Sequence, residues 1–123
     1  MTPNEYQKLA MHTNDGKATT RLAESFSFSW VDNGSLLNGC LGLSGETGEF
    51  CDMIKKAVFH EKEFDEEHAK KELGDCLWYV AMICESFGWN LEEIMEMNTE
   101  KLKARYPEGF DTYLANHRND GDV

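Results

Sequence analysis

Apolar positions recur at helical spacing along most of the chain, and they divide it into segments. Leu36, Leu43, Phe50, Ile54 and Ala57 share one stripe and predict a helix from Leu36 to about His60. It follows Asp32-Asn33-Gly34-Ser35, a turn ending in a helix cap. A charged link, Glu61 to Glu67, leads to a helix from Glu66 to Phe87, closed by Gly88 where a left-handed cap is required. Its apolar face, Ala69, Leu73, Cys76, Leu77, Val80, Ile83, Cys84 and Phe87, is broader than a lone amphipathic helix needs and implies burial from two sides. Asn90 with Glu93 reads as a capping box for a helix from Leu91 to Arg105, which Pro107 stops.

Outside these segments the pattern is weaker. A short helix from Pro3 to His12 is expected, then a polar stretch from Thr13 to Thr20. Phe26-Ser27-Phe28-Ser29-Trp30 alternates like a strand, but with no second strand to pair it reads as an aromatic-lined loop. The stretch from Glu108 to Val123 grows increasingly polar and is expected to end disordered. Without a Pro/Gly/Ser-rich linker, residues 1–123 read as a single domain. The expected architecture is all-α, a helical bundle of about four helices completed by self-association across the broad face of the helix from Glu66 to Phe87.

Glycine complicates the helix from Leu36 to His60. Gly39, Gly42, Gly45 and Gly48 lie within it, each costing about 1 kcal/mol relative to alanine. Close approach of a facing helix or of a ligand is the expected compensation. The neighbouring helix from Leu91 carries a polar residue, Asn98, on the same stripe as Leu91, Ile94, Met95 and Leu102, so a buried amide with a specific partner is expected there.

Charge restricts the classes of ligand. Aspartate and glutamate outnumber lysine and arginine by 23 to 12, a net charge of −11, which opposes general attraction to nucleic acid or to anionic membranes. A phosphorylated ligand would need metal ions as go-betweens. The longest apolar run, Cys76 to Cys84, is too short to span a bilayer, and the start of the chain, with Asn4 and Glu5, is not that of a signal peptide. Cys40, Cys51, Cys76 and Cys84 show no Cys-x-x-Cys spacing and are expected to be buried thiols of a cytoplasmic protein.

The candidate chemistry lies in two acidic pairs, Glu46/Glu49 and Glu72/Asp75, each three residues apart and therefore on one helix face. All four border the apolar stripes. Carboxylates brought together there would repel one another and be driven towards protonation unless a divalent cation neutralised them, and magnesium prefers such hard oxygen ligands. The competing use is a solvated rim, with Lys71 pairing with Asp75. His12, His60, His68 and His117 do not supply the Glu-x-x-His set of a di-iron bundle and read as surface residues.

Three stretches carry a resemblance. Gly42-Leu-Ser-Gly-Glu46-Thr-Gly-Glu49-Phe, Glu72-Leu-Gly-Asp75-Cys-Leu-Trp-Tyr79 and Asn98-Thr-Glu-Lys101-Leu-Lys-Ala-Arg105-Tyr-Pro-Glu-Gly-Phe110 together resemble the MazG-like nucleotide pyrophosphohydrolases, over about Leu36 to Phe110. The resemblance implies hydrolysis of NTPs or dNTPs to the monophosphate and pyrophosphate, in nucleotide-pool cleaning, with magnesium (manganese as substitute) held by Glu46, Glu49, Glu72 and Asp75. The self-association expected from the broad apolar face would give a homodimer or homotetramer. Glu49 is the candidate to orient the attacking water. The family motif begins Glu-Glu-x-x-Glu, and Gly45 stands at its first position, which leaves open the group that prepares the water.

Asn98, Lys101 and Arg105 follow at helical spacing and suit a polar contact plus two cations at a phosphate tail, or else a core amide and two solvated charges. Trp30 is a candidate to stack on a nucleobase or to enter the core, and Tyr79 continues the Glu72/Asp75 stripe by one turn as a further substrate contact. Lys56 is a candidate for phosphate, against an Asp52 pair. Two other functions remain in view: an enzyme like phosphoribosyl-ATP pyrophosphohydrolase, and a catalytically silent helical dimerisation module.

Overall fold

The computed structural model describes residues 1–25, 30–119 and 121–123 and forms two compact units, Met1–Val31 and Asp32–Val123. Among the described residues the secondary structure is entirely helical. The first unit holds α1, Pro3–Met11, and α2, Ala18–Glu24. Helix α1 starts in a capping box: Thr2 Oγ1 accepts the Glu5 N–H at 3.1 Å, and Glu5 Oε2 accepts the Thr2 N–H at 2.6 Å. Helix α2 begins inside the expected polar stretch without a side-chain cap, and its Arg21 makes a two-pronged ion pair with Asp15. The aromatic-loop reading of Phe26 to Ser29 falls outside the described residues, and Trp30 is exposed.

The second unit is built on α3, Asn33–Phe59, and α4, Glu66–Phe87. Asp32 caps α3, accepting the Ser35 N–H at 3.1 Å and the Ser35 hydroxyl at 2.7 Å, so the helix begins three residues before Leu36. Asp65 caps α4 through the His68 N–H at 3.0 Å, and Gly88 closes it with φ of 70°, the left-handed cap expected of it. The two helices run antiparallel. Asn38 meets Met82, Thr47 meets Cys76, and the Asp32 N–H donates to the Ser86 carbonyl at 3.0 Å, joining the start of α3 to the end of α4.

Glycine sets how closely they approach. A Cβ on Gly39 would stand 2.8 Å from Ile83 Cγ1, and one on Gly42 would stand 2.2 Å from Tyr79 Cε1, inside the ring's contact radius. The expected compensation is therefore present at these two positions. Gly45 and Gly48 face open space instead.

Two further helices follow, α5, Leu91–Arg105, and α6, Thr112–Asn116. Asn90 caps α5 by accepting the Glu92 N–H at 3.0 Å, and Asp111 caps α6 through the Leu114 N–H at 3.0 Å. The tail expected to be disordered thus contains a capped helical turn, and beyond it Asp122 clamps Arg105. Among the described residues of this unit, no other pair of helices packs as α3 and α4 do. This corrects two expectations. Asn98 is exposed, because among the described residues no helix packs closely along α5 as α4 packs along α3. Cys84 is buried and Cys76 half-buried against α3, where its Sγ meets Thr47, but Cys40 and Cys51 are exposed on α3.

Candidate active site

The α3–α4 hairpin brings the two acidic pairs face to face. One carboxylate oxygen each from Glu46, Glu72 and Asp75 lies within 4.8 Å of the others. The register explains this: Gly42 meets Tyr79 one turn before Glu46 on α3 and one turn after Asp75 on α4. With both carboxyls ionised, Glu46 Oε2 and Glu72 Oε2 are shut off from solvent with no hydrogen-bond partner among the described residues. Buried oxygens without donors are costly, and a bound cation removes that cost. An all-oxygen set of this kind fits a hard divalent ion such as magnesium.

Electrostatics point the same way. The hydrogen bond Glu46 shares with Glu72, then burial, then the charges of Glu49, Glu72 and Asp75 push the Glu46 carboxyl up to about 7. Glu72 moves down, because Glu46 and then the His68 ring stabilise its charge against the burial that opposes it.

This gives metal-free stability a pH dependence. Glu46, raised in the folded state, contributes fully below its ordinary value of 4.5, and that contribution is lost as pH rises through about 7. Glu72, lowered, contributes above its ordinary value and loses it only as pH falls through its folded one. In EDTA the melting temperature is expected to fall between about pH 5 and 8. Magnesium, which competes with the proton that Glu46 takes up below about pH 7, should raise it strongly at pH 8 and little at pH 5. Calorimetry with and without magnesium checks this, and parallel profiles would refute a cation at these carboxylates.

Glu49 stands outside the three-oxygen cluster. It lines a cavity of about 540 Å³ beside it, together with Glu72, His68, Gly48, Phe64 and Lys56. Lys56 is held there by Asp52, at 2.7 Å, as the more economical sequence reading had it. His68 is the residue that sequence reasoning passed over. Its Nε2 lies 2.8 Å from Glu72 Oε1, and the four-residue spacing on one helix was the available signal.

Within the second unit, the remaining candidates lie outside this cavity. The Tyr79 ring packs over Gly42 in the helix seam and meets Trp78 edge-on, centroids 5.1 Å apart. Asn98 and Lys101 are exposed on α5, and neither they nor Arg105 line the cavity beside the acids. Arg105 is already engaged: its Nε and Nη2 donate to Asp122 at 2.8 and 2.6 Å, with both side chains largely buried. Trp30 belongs to the first unit.

Comparison with known proteins adds identity to this geometry. Residues 35–110 match the family model described as the MazG nucleotide pyrophosphohydrolase domain. The Gene 37 protein of Mycobacterium phage L5 is 31% identical over 74 residues, a match covering 56% of this chain and 64% of that protein. The chain thus spans a little under two thirds of this relative's length. No solved structure gives a significant match.

Proposed function

The chain belongs to the MazG nucleotide pyrophosphohydrolase family, and on that premise we propose that it hydrolyses (d)NTPs to the monophosphate and pyrophosphate with magnesium held by Glu46, Glu72 and Asp75. The observation that carries this reading is the convergence of three carboxylates within 4.8 Å, two of them with buried oxygens that lack donors. The donors the cluster offers among the described residues are carboxylate oxygens, which suits magnesium, with manganese as substitute.

A divalent cation at this site would supply positive charge to the phosphate oxygens and acidify nearby water. The chain's own residues supply the rest. Glu49, which lines the cavity and lies outside the three-oxygen cluster, is the candidate to accept a proton from water, the role that Gly45 cannot take. Gly45 and Gly48, with no side chain projecting into the cavity, leave room for a nucleotide against the backbone of α3. Phosphate contact by Lys56 would require it to leave Asp52, and by Arg105 to leave Asp122.

A panel of NTPs and dNTPs with magnesium tests the reading directly. Pyrophosphate is the expected product, detected as orthophosphate only after added pyrophosphatase. Orthophosphate without it, or no turnover on any nucleotide, would overturn the proposal.

Self-association belongs to the same reading. Leu73, Leu77 and Trp78 on α4 are 48%, 67% and 57% exposed, and Leu37 and Leu41 on α3 add to the uncovered apolar surface. Such a surface on so thin a core suits a second copy of the chain. Sedimentation equilibrium should show a dimer or tetramer, and Leu77→Glu should shift it towards monomer. A wild-type monomer at micromolar concentration would refute this.

A further inference from the structure

We propose that His68 is a positioning residue for the acidic cluster, holding Glu72 by a hydrogen bond so that its buried oxygen stays available to a cation. The inference rests on the reading of Glu46, Glu72 and Asp75 as cation ligands. The bond joins His68 Nε2 to Glu72 Oε1 at 2.8 Å, and it leaves Oε2 as the oxygen that is shut off from solvent without a partner. The two side chains sit in opposite environments, His68 56% exposed and Glu72 12%. A ring at the cavity wall thus reaches inward to a nearly buried carboxylate.

Restraint is needed at this point. A glutamate has three torsions to fix, and the neighbours of Glu72 in the cluster are carboxylates that repel it once they are ionised and no cation is present. His68 is itself anchored. Its backbone N–H donates to Asp65, the α4 cap, which fixes the first turn of the helix and with it the ring's starting point. The Nε2–H exists in the imidazolium and in the matching neutral tautomer, so the device needs no change of charge. Carboxylates that ligate metals are commonly held in this way by hydrogen bonds from residues behind them, and losing such a bond costs about 10- to 100-fold in affinity or activity.

The ordinary alternative is an exposed helical pair of four-residue spacing, which contributes little to stability and nothing to metal binding. Manganese binding separates the two. Full-length wild type, His68→Ala and His68→Gln are titrated with Mn2+ alone, followed by electron paramagnetic resonance, and turnover is measured across magnesium concentrations. His68→Ala should weaken Mn2+ about tenfold or more, with metal-free melting nearly unchanged. Its turnover should fall at limiting magnesium and largely recover at saturation. His68→Gln, whose amide nitrogen can donate from the same place, should restore binding to within about threefold of wild type, as a donor role requires. Equal affinity in wild type and His68→Ala, or equal loss in both variants, would overturn the positioning role and leave the proposed hydrolase standing. Failure of wild type to bind Mn2+ would remove both.

Discussion

Replacing Asp75 with alanine is expected to reduce pyrophosphate release by about a thousandfold while leaving the helices intact, and Glu46→Ala and Glu72→Ala should do the same. Each variant removes one of three oxygens that converge within 4.8 Å, and two from protein cannot replace the geometry of three. The size follows from the charge a cation must neutralise on a triphosphate: its loss is worth several kcal/mol of barrier, or about three powers of ten. Stability should move the other way. Removing one carboxylate relieves repulsion among the rest, so metal-free melting should stay level or rise, and the added stabilisation by magnesium should disappear. Glu49→Gln is the informative contrast. Because Glu49 lies outside the cluster, its loss should lower turnover while Mn2+ binding persists. Normal pyrophosphate release by the Asp75→Ala and Glu72→Ala variants would end the proposed mechanism and favour a silent helical module.

Where local chemistry decides an element, its limits were legible from sequence. Helices α4 and α5 have the expected bounds because Gly88 and Pro107 stop them and Asp65 and Asn90 start them. The start of α3 was misplaced because Asp32 and Ser35 are both good caps: Asp32 takes the role, and the Ser35 hydroxyl donates to it. Helices α2 and α6 are too short to show apolar periodicity, although Asp111 before Thr112 was a readable cap.

The site divides along the same line. The acidic spacing was legible because three residues on a helix fix a face, and the opposition of the two pairs followed once α3 and α4 became a hairpin. The Arg105 pairing was not legible. Its partner, Asp122, lies 17 residues away across a turn and a short helix, and no local rule connects them. Asn98 was misjudged for a related reason: a stripe in the sequence implies a partner surface, and among the described residues no closely packed helix provides one at Asn98.

Gly42→Ala is expected to lower the melting temperature by roughly 10 °C, against an upward shift of a few degrees for Gly48→Ala. Helix propensity alone predicts a gain of about 1 kcal/mol at both positions. The seam reverses the sign at one of them. A methyl at position 42 would lie 2.2, 2.4 and 2.5 Å from three carbons of the Tyr79 ring, more than an ångström inside contact, whereas one at position 48 meets nothing within 4 Å. Overpacking of this kind costs about 1 to 3 kcal/mol and sometimes more, because the ring is confined by Trp78 at its edge. The effect should extend to chemistry. The Gly42–Tyr79 contact lies one turn from Glu46 on α3 and one turn from Asp75 on α4, so prising it apart should separate the carboxylates and weaken Mn2+ binding along with stability. Pairing Gly42→Ala with Tyr79→Leu separates these effects: if the ring is the obstacle, the double variant should be more stable than the sum of the single changes by more than about 0.5 kcal/mol, as residues in contact require. Strict additivity, or equal melting of Gly42→Ala and Gly48→Ala, would show that the register bringing the acids together is held elsewhere along the hairpin.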